Sequence, residues 1–410
     1  MSNWKLLDAI GVELEYMIVH RDTLDIYPVA DKLIEKVAGA IEGEIEFGDI
    51  AWSNELVLHV IEIKTNGPVP SLNDVYKRFS EHIDKLNTLL ADFNGCLMPT
   101  AAHPWMDPLL ETRLWPHECG PIYQAYNRIF DCRGHGWSNL QSTHLNLSFD
   151  GDEEFSRLHS AIRLLMPIMP ALTASSPILD GKAGTHLDSR MKYYCTNSAR
   201  VPQVSGKIIP EGVFSHAEYE NRIFRPMYEA ISSLDPENIL AHEFLNARGA
   251  IARFDRGAIE IRVLDIQETP VADLATTQLI ISAVKLLTEK GEADRKSQMK
   301  WDVDPLSTIF QDVIKYGDQA VISDSAYLSL LGLGSEKMGV MEVWQHLAMS
   351  CTDKNQWDSA FNKPLEIIFN HGPLARRIEK TVAGDYRKEH LKGVYSRLCD
   401  CLSTHQMFLP

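Results

Sequence analysis

The stretch Ile10–Val19 reads IGVELEYMIV and decides the fold class. Apolar and acidic residues alternate through its first half, which is typical of a β-strand. Glu13 and Glu15 are two positions apart, so both side chains project from one face of that strand. A buried strand face does not hold two carboxylates unless a cation meets them. Taken alone, however, the same pattern also fits a sheet face exposed to solvent.

Three further segments are predicted to be strands of the same kind. Glu55–Thr65 (ELVLHVIEIKT) is a long run rich in β-branched residues, and Ser138–Phe149 (SNLQSTHLNLSF) alternates between polar and apolar residues. Asn246–Phe254 and Ala258–Gln267 flank the turn-forming residues Asp255-Arg256-Gly257, which predicts a hairpin. Dispersed strands of this length favour an antiparallel sheet.

Each of these strands also has polar residues at every second position. They are Glu62 with Glu55 at the start of the same run, His144 with Asn146, and Glu260 with Arg262. Aligned in one sheet, such residues would form a surface rich in oxygen ligands, which magnesium prefers and commonly shares with phosphates. An arginine beside the carboxylates would complement a phosphate through its planar guanidinium group. Two simpler interpretations stay open: an ordinary Glu260–Arg262 ion pair and a core role for His144. Because seven residues separate Glu55 from Glu62, Glu55 must lie before the strand, or a bulge must intervene, if both serve the same site.

Helical patterns fill most of the remaining sequence. They cover Val29–Ala40, Leu72–Phe93, Phe155–Leu172 with a kink or end at its prolines, Ser215–Ser233, and nearly everything after Pro270. We therefore predict an α+β fold in one domain over residues 1–410, with a core at 10–270 and a helical C-terminal part at 271–410.

Composition excludes several classes of function. Lys and Arg number 40 against 56 Asp and Glu, giving a formal net charge of −16, which argues against a nucleic-acid partner. No run approaches the roughly 20 apolar residues of a membrane span, so no membrane partner is expected. The seven cysteines lack the spacing of a zinc or redox motif. Reduced thiols in a cytoplasmic protein are the expectation.

The order of these motifs resembles the glutamate–cysteine ligase family, most closely its bacterial second type, the carboxylate–amine ligases. The resemblance covers Ile10 to Pro270 and rests on Gly-x-Glu-x-Glu near the N-terminus, two Glu seven apart, His-x-Asn, and Glu-x-Arg on a late strand. A Ser-Ser-Pro loop at 175–181 is similar to one that those enzymes place by the substrate. The family implies a glutamine-synthetase-like fold: a curved antiparallel sheet whose concave face holds ATP and metal, with helices on the other face.

The resemblance also implies roles for individual residues. The expected metal ligands are Glu13, Glu15, Glu55, Glu62 and Glu260, for Mg²⁺ or Mn²⁺. His144, Asn146 and Arg262 are expected to bind the nucleotide, and Arg262 and Arg190 are the expected catalytic residues. The implied reaction is ATP-dependent: a small carboxylate or amino acid becomes an acyl phosphate, which an amine then attacks. A homo-oligomer is left open.

Two parts of the sequence match no family pattern that we can assign. Pro104–Trp137 is rich in Trp and His, and is expected either to cover the site, to shape the acceptor pocket, or simply to pack as a loop. The C-terminal helices carry no motif. Competing functions are a non-catalytic nucleotide-binding regulator, a guanidino kinase, and a metal hydrolase. The kinase lacks its expected cysteine-centred loop here, and a zinc hydrolase favours histidine clusters.

Overall fold

The computed structural model describes residues 4–351 and 354–410. Its strands are β1 Ile10–His20, β2 Glu44–Phe47, β3 Ile50–Asn54, β4 Val60–Thr65, β5 Gly95–Met98, β6 Ser142–Ser148, β7 Ile178–Leu179, β8 Lys182–Ala183, β9 Ala250–Arg253, β10 Ala258–Asp265, β11 Val321–Ile322 and β12 Met338–Gly339.

The first nine α-helices are α1 Ala30–Ala38, α2 Val75–Ala91, α3 Pro108–Glu111, α4 Gly120–Phe130, α5 Gly151–Leu165, α6 Pro170–Thr173, α7 Ser189–Tyr194, α8 His216–Tyr219 and α9 Arg225–Ile231. They continue with α10 Pro270–Thr288, α11 Glu292–Met299, α12 Val303–Tyr316, α13 Ser325–Leu330, α14 Val340–Ser350, α15 Asn362–His371, α16 Leu374–Val382 and α17 Lys388–Thr404. A π-helical turn, Glu220–Phe224, joins α8 to α9. The 3₁₀ turns are Met166–Ile168, Glu243–Leu245, Gly317–Gln319, Lys354–Gln356 and Ser359–Phe361.

An eight-stranded antiparallel sheet organises the molecule. Its order is β2-β3-β4-β1-β6-β10-β9, and β5 pairs with the second half of β1. The long strand β1 therefore lies at the centre, with β4 on one side and β6 and β5 in turn on the other. The predicted antiparallel sheet, the hairpin of β9 and β10, and the α+β fold class are confirmed.

The sheet is apolar on the face opposite the acidic residues. The alternate positions Val12, Leu14 and Tyr16 of β1 are fully buried in the main core. Helices α5 and α10 pack together within that core. By length and composition α10 could cross a membrane, but 83% of its most apolar window is buried inside the fold, as in a core helix. Because the helices take up the apolar face, the polar face is left for ligands.

Several boundaries differ from the sequence prediction. The run from Glu55 is a strand only over Val60–Thr65, because Leu56 and Leu58 instead exchange backbone hydrogen bonds with the segment 113–115. The helix predicted at Phe155–Leu172 begins earlier, at Gly151. It ends at Leu165 with separate turns beyond, as predicted, since Pro167 and Pro170 cannot donate a backbone hydrogen bond. The C-terminal part is mostly helical, but β11 and β12 were not predicted.

Candidate active site

Strand register brings the predicted polar residues together on one face of the sheet. Glu13 on β1 lies opposite Lys64 on β4 and opposite His144 on β6. Glu15 lies opposite Glu62 on β4. Directly paired residues of an antiparallel sheet point to the same face, so these side chains share one surface. Glu260 on β10 joins them, since it pairs with Asn146. We call Glu13, Glu15, Glu62, His144 and Glu260 the carboxylate cluster.

His144 links two acids of the carboxylate cluster. Its Nδ1 lies 3.0 Å from Glu13 Oε2, and its Nε2 lies 2.9 Å from Ser142 Oγ. That hydroxyl and the Ser142 backbone N–H both donate to Glu15 Oε2, at 2.9 and 2.7 Å. Asn146 Nδ2 donates to the second oxygen of Glu13 at 3.0 Å. Both acids are thus held in fixed orientations, which preorganises them for a ligand.

Glu62 and Glu260 are oriented from the two flanks of the cluster. Ser53 Oγ donates to Glu62 Oε1 at 2.5 Å, and Lys64 Nζ lies 3.1 Å from the same oxygen. On the other flank Arg262 Nε donates to Glu260 Oε1 at 2.6 Å. A register shift in the β10–β6 pairing follows Ile261, directly before Arg262. Irregularities of this kind commonly re-aim a side chain near a functional site.

The crowding of charges shows in the acid–base properties of the cluster. Burial disfavours ionised Glu13, but the hydrogen bond and charge of His144 outweigh it and lower the pKa of Glu13 to about 2. Burial likewise opposes the charged form of His144, yet Glu13 and Glu15 raise its pKa to about 9. Burial and the negative charge of Glu13 raise the pKa of Glu62 to about 7. Carboxylates pressed together in this way gain from a cation between them.

Glu55 reaches the same cavity from outside the strand. It lies in the irregular segment before β4, which removes the difficulty of its seven-residue offset from Glu62. Burial, followed by the charges of Glu15 and Glu62, raises the pKa of Glu55 well above its usual range. Its carboxyl group therefore belongs electrostatically to the carboxylate cluster.

Arg190 takes a different position from the other predicted residues. It is buried on α7, ion-paired with Asp265, and both its terminal nitrogens lie 3.3 Å from the carbonyl oxygen of Arg262. The Ser-Ser-Pro loop holds the same acid, because Ser175 N and Ser176 Oγ donate to Asp265 Oδ2 at 2.8 and 3.0 Å. The loop and Arg190 thus stabilise the end of β10, the strand that carries Arg262.

The donor set fits a divalent cation. Two groups have ligand atoms that all lie within 4.8 Å of one another: Glu13, His144 and Glu260, and Glu15, Glu62 and His144. Carboxylate oxygens predominate, as magnesium requires, and manganese accepts the imidazole as well. His144 already has hydrogen-bond partners on both ring nitrogens. His144 is therefore better placed to orient the carboxylates than to serve as a metal ligand itself.

Sequence reasoning missed several polar residues of this surface, among them Lys64, Ser142 and Arg253. Lys64 and Ser142 were within reach, because each lies two positions from a predicted site residue on the same strand. Arg253 Nη1 lies 3.7 Å from Glu260 Oε2 across the β9–β10 hairpin. Its strand was predicted, but its facing residue depends on a register that the sequence alone does not fix.

The cluster forms the floor of a cavity of about 860 Å³. At one end lie Trp4, Gly67 and Arg256, near the start of β1. The cavity is also lined by residues of the segment 119–140, together with Tyr194 and Phe244. The volume is in the upper part of the range of about 300–1,000 Å³ for small-molecule sites, so there is room for a large ligand.

A family model described as glutamate–cysteine ligase family 2 matches residues 9–323, well over half of the chain. The chain belongs to this family. The match extends beyond Pro270, where the resemblance in the sequence ended. An uncharacterized protein of Archaeoglobus fulgidus is 30% identical over 400 residues, covering 98% of this chain and 100% of that protein.

Two solved structures share the fold. A glutamate–cysteine ligase from Francisella tularensis in complex with AMP matches with a TM-score of 0.55 and 13% identity, over 98% of this chain and 90% of that one. A bifunctional glutathione synthetase from Pasteurella multocida matches with a TM-score of 0.55 and 11% identity, over 95% of this chain. This chain spans about half the length of the Pasteurella protein, 52%. The fold is that of the glutamine-synthetase-like ligases, and the family supports a carboxylate–amine ligase-like activity that forms a C–N bond.

Proposed function

We propose that the chain is an ATP-dependent carboxylate–amine ligase that works through an acyl phosphate. The observation that carries this proposal is the carboxylate cluster itself: four acids from three strands, with His144 from a fourth, oriented by hydrogen bonds at the floor of a large cavity. A purely structural sheet face has no use for such a set, because gathering like charges costs free energy. Membership of the family makes ATP the natural source of phosphate.

The proposed roles follow from position. Glu13, Glu15, Glu62 and Glu260, with Glu55 beside them, would hold Mg²⁺ or Mn²⁺. When bound, the cation neutralises charge on the phosphates of ATP. His144 and Asn146 orient Glu13, although the family resemblance gives them a nucleotide contact. These residues therefore act mainly by positioning and by electrostatics.

Arg262 is the proposed phosphate-contacting residue. Its side chain is 26% exposed and borders the cavity, whereas that of Arg190 is 1% exposed and already satisfied by Asp265. A guanidinium group offers a phosphate two parallel donors. Arg190 is better described as a positioning residue, which supports the backbone of Arg262.

In the proposed reaction, an oxygen of the acid substrate attacks the γ-phosphorus of ATP, and ADP leaves. The neutral amine then attacks the acyl carbon, the C–N bond forms, and inorganic phosphate leaves with the electrons of the C–O bond. Neither step requires a protein nucleophile. We also propose that residues 1–410 act as one catalytic unit, because α10 packs against helices of the sheet core, α2 and α5. The cytoplasm is the proposed location, because all seven cysteines are reduced thiols.

The test uses hydroxylamine in place of the amine, with ATP, Mg²⁺ and a panel of amino acids and simple carboxylates. A hydroxamate should form from the true acid substrate, with ADP and phosphate as the other products and with ¹⁸O passing from the carboxylate to phosphate. Excess chelator should stop the reaction. Formation of AMP and pyrophosphate, or unlabelled phosphate alongside confirmed product, would remove the acyl-phosphate route.

A further inference from the structure

We infer that Lys64 sets the affinity of the carboxylate cluster for its divalent cation, because its ammonium group competes with the cation for Glu62. Glu44, which lies beside the cluster, offers the ammonium group a second position. This inference rests on the proposed function, since it takes the carboxylate cluster as the metal site. It assigns a positioning role to a residue that sequence reasoning missed.

Lys64 places a positive charge among the proposed metal ligands. It follows Glu62 by two positions on β4, so both side chains project from the same face of the strand. On the neighbouring strand β1, Lys64 lies opposite Glu13. The ammonium nitrogen of Lys64 lies 3.1 Å from Glu62 Oε1, and the two side chains are 25% and 7% exposed. This ion pair therefore lies on the floor of the cavity, largely shielded from solvent.

The ammonium group and a divalent cation would compete at Glu62. A bound Mg²⁺ ion lies about 2 Å from each oxygen ligand, so the ion and the ammonium group would share one carboxylate. Two positive groups at such short range repel each other, and the repulsion is stronger in a partly buried site than in bulk water. Ser53 Oγ donates to the same Glu62 oxygen at 2.5 Å. The carboxylate therefore keeps a hydrogen-bond donor when the lysine moves away.

Glu44 provides the second position for the ammonium group. Its Oε2 lies 2.7 Å from Lys64 Nζ, a shorter contact than that of Glu62. Ser53 on β3 lies opposite Glu44 on β2 and also opposite Glu62 on β4, so the two acids flank one serine on the same face of the sheet. Glu44 is 43% exposed on the edge strand β2, where solvent can hydrate a displaced ammonium group. A lysine side chain is flexible enough to change partners without any movement of the backbone.

The consequence is a carboxylate cluster that carries its own counter-ion. With no metal bound, Lys64 offsets part of the negative charge whose burial is unfavourable. When a divalent cation binds, Lys64 has to give up Glu62, and this lowers the affinity for the cation. Removing the lysine should therefore tighten metal binding, which is the opposite of the result expected from losing a metal ligand or damaging the fold.

The experiment measures Mn²⁺ binding to the full chain without nucleotide. The electron paramagnetic resonance signal of free Mn²⁺ is followed at pH 8.5, to favour the ionised form of Glu62. Lys64→Met removes the charge and nearly keeps the length of the side chain, and it should tighten Mn²⁺ binding at least fivefold. Lys64→Arg, which keeps the charge, should stay within twofold of wild type. Lys85→Met, the same change at an exposed lysine of α2, is the control and should leave the affinity unchanged. Unchanged or weaker binding by Lys64→Met with its circular dichroism spectrum retained would overturn the inference.

A double-mutant cycle tests the role of Glu44. Glu44→Gln should weaken Mn²⁺ binding at least threefold, because Glu44 no longer draws the lysine away from Glu62. In the Lys64→Met background the same substitution should change binding by less than twofold, because no ammonium group is left to hold. An equal factor in both backgrounds would mean that Glu44 acts through its own charge alone, and would refute the second position.

The hydroxylamine assay separates this inference from the proposed function. A chelator-sensitive hydroxamate, together with unchanged Mn²⁺ affinity in Lys64→Met, would refute the role of Lys64 and leave the ligase standing. Tighter Mn²⁺ binding by Lys64→Met without a hydroxamate from any acid would refute the acyl-phosphate reaction and leave the role of Lys64 standing. Failure of wild type and Lys64→Met alike to bind Mn²⁺ would overturn both the metal site and this inference.

Discussion

A buried histidine should make the stability of the fold sensitive to acid. His159 on α5 is 1% exposed and stacks on Phe155, with ring centroids 5.0 Å apart. Its Nδ1 lies 2.9 Å from the carbonyl oxygen of Val213, and its Nε2 has no partner among the described residues. Burial, and then the nearby charge of Arg163, lowers its pKa to about 3. Asparagine at this position places an N–H donor near the site of Nδ1 but cannot take up a proton.

The sign and size follow from linkage. The folded-state pKa lies below the unfolded value of about 6.5, so the unfolded chain binds a proton that the folded chain refuses. The contribution of His159 to stability is therefore complete above pH 6.5 and declines as the pH falls towards 3. At about 1.4 kcal/mol per pH unit, the loss between pH 7 and pH 5 is about 2 kcal/mol. His159→Asn removes this loss, although it lowers stability at every pH through the smaller side chain.

Urea unfolding at pH 7, 6 and 5, followed by tryptophan fluorescence and circular dichroism, measures the effect. The free energy of unfolding of wild type should exceed that of His159→Asn at pH 7, and the gap should shrink by about 2 kcal/mol at pH 5. Comparing the two proteins cancels the titration of the acidic residues that they share. The control is His371→Asn, at an exposed histidine, for which the gap should not vary in this way. Parallel pH profiles for wild type and His159→Asn would refute the reasoning.

Three further results are expected. Glu62→Gln and Glu260→Gln should each abolish most ATP-dependent product formation while the circular dichroism spectrum is kept, and full activity in both would rule out the proposed metal ligands. Arg262→Lys should lower kcat/KM by more than tenfold, since lysine keeps the charge but loses the paired donors, and wild-type kinetics would reduce Arg262 to a structural partner of its neighbouring acid. Arg377→Met should lower the free energy of unfolding by about 3–5 kcal/mol, because it leaves the fully buried carboxylate of Glu268 without its ion-pair partner. A change below about 1 kcal/mol in urea unfolding would contradict this.

The sequence predicted the centre of the site better than its edges. Alternation along β1 and β6 was enough to put Glu13 and His144 on one face, because side chains on a strand alternate strictly. Their direct pairing depends on register, which the structure supplies. The same local signal misjudged the segment from Glu55 to Leu58, since the competing partner of that backbone lies more than fifty residues later in the chain.

The sequence could not predict the orientation of the aromatic side chains that line the cavity, for another reason. Neither helical nor strand periodicity tells which rings of an irregular, aromatic-rich segment point inwards. Trp115 is in the core and Trp137 faces the cavity, although both belong to the same unassigned stretch. The orientation of Arg190 was similarly hidden, because its buried partner Asp265 is distant in sequence and was not considered as a site residue.

The order of strands in the sheet has a consequence for synthesis on the ribosome. Strand β6 pairs with β10, whose first residue follows the end of β6 by more than one hundred positions. At a translation rate of about 5–20 residues per second, roughly 5–20 s pass between the synthesis of β6 and that of β10, and during this time one edge of β6 is unpaired. An open strand edge is a template for pairing with other chains. Nascent chains of this protein are therefore exposed to aggregation, and in need of chaperones, during the translation of residues 149–265.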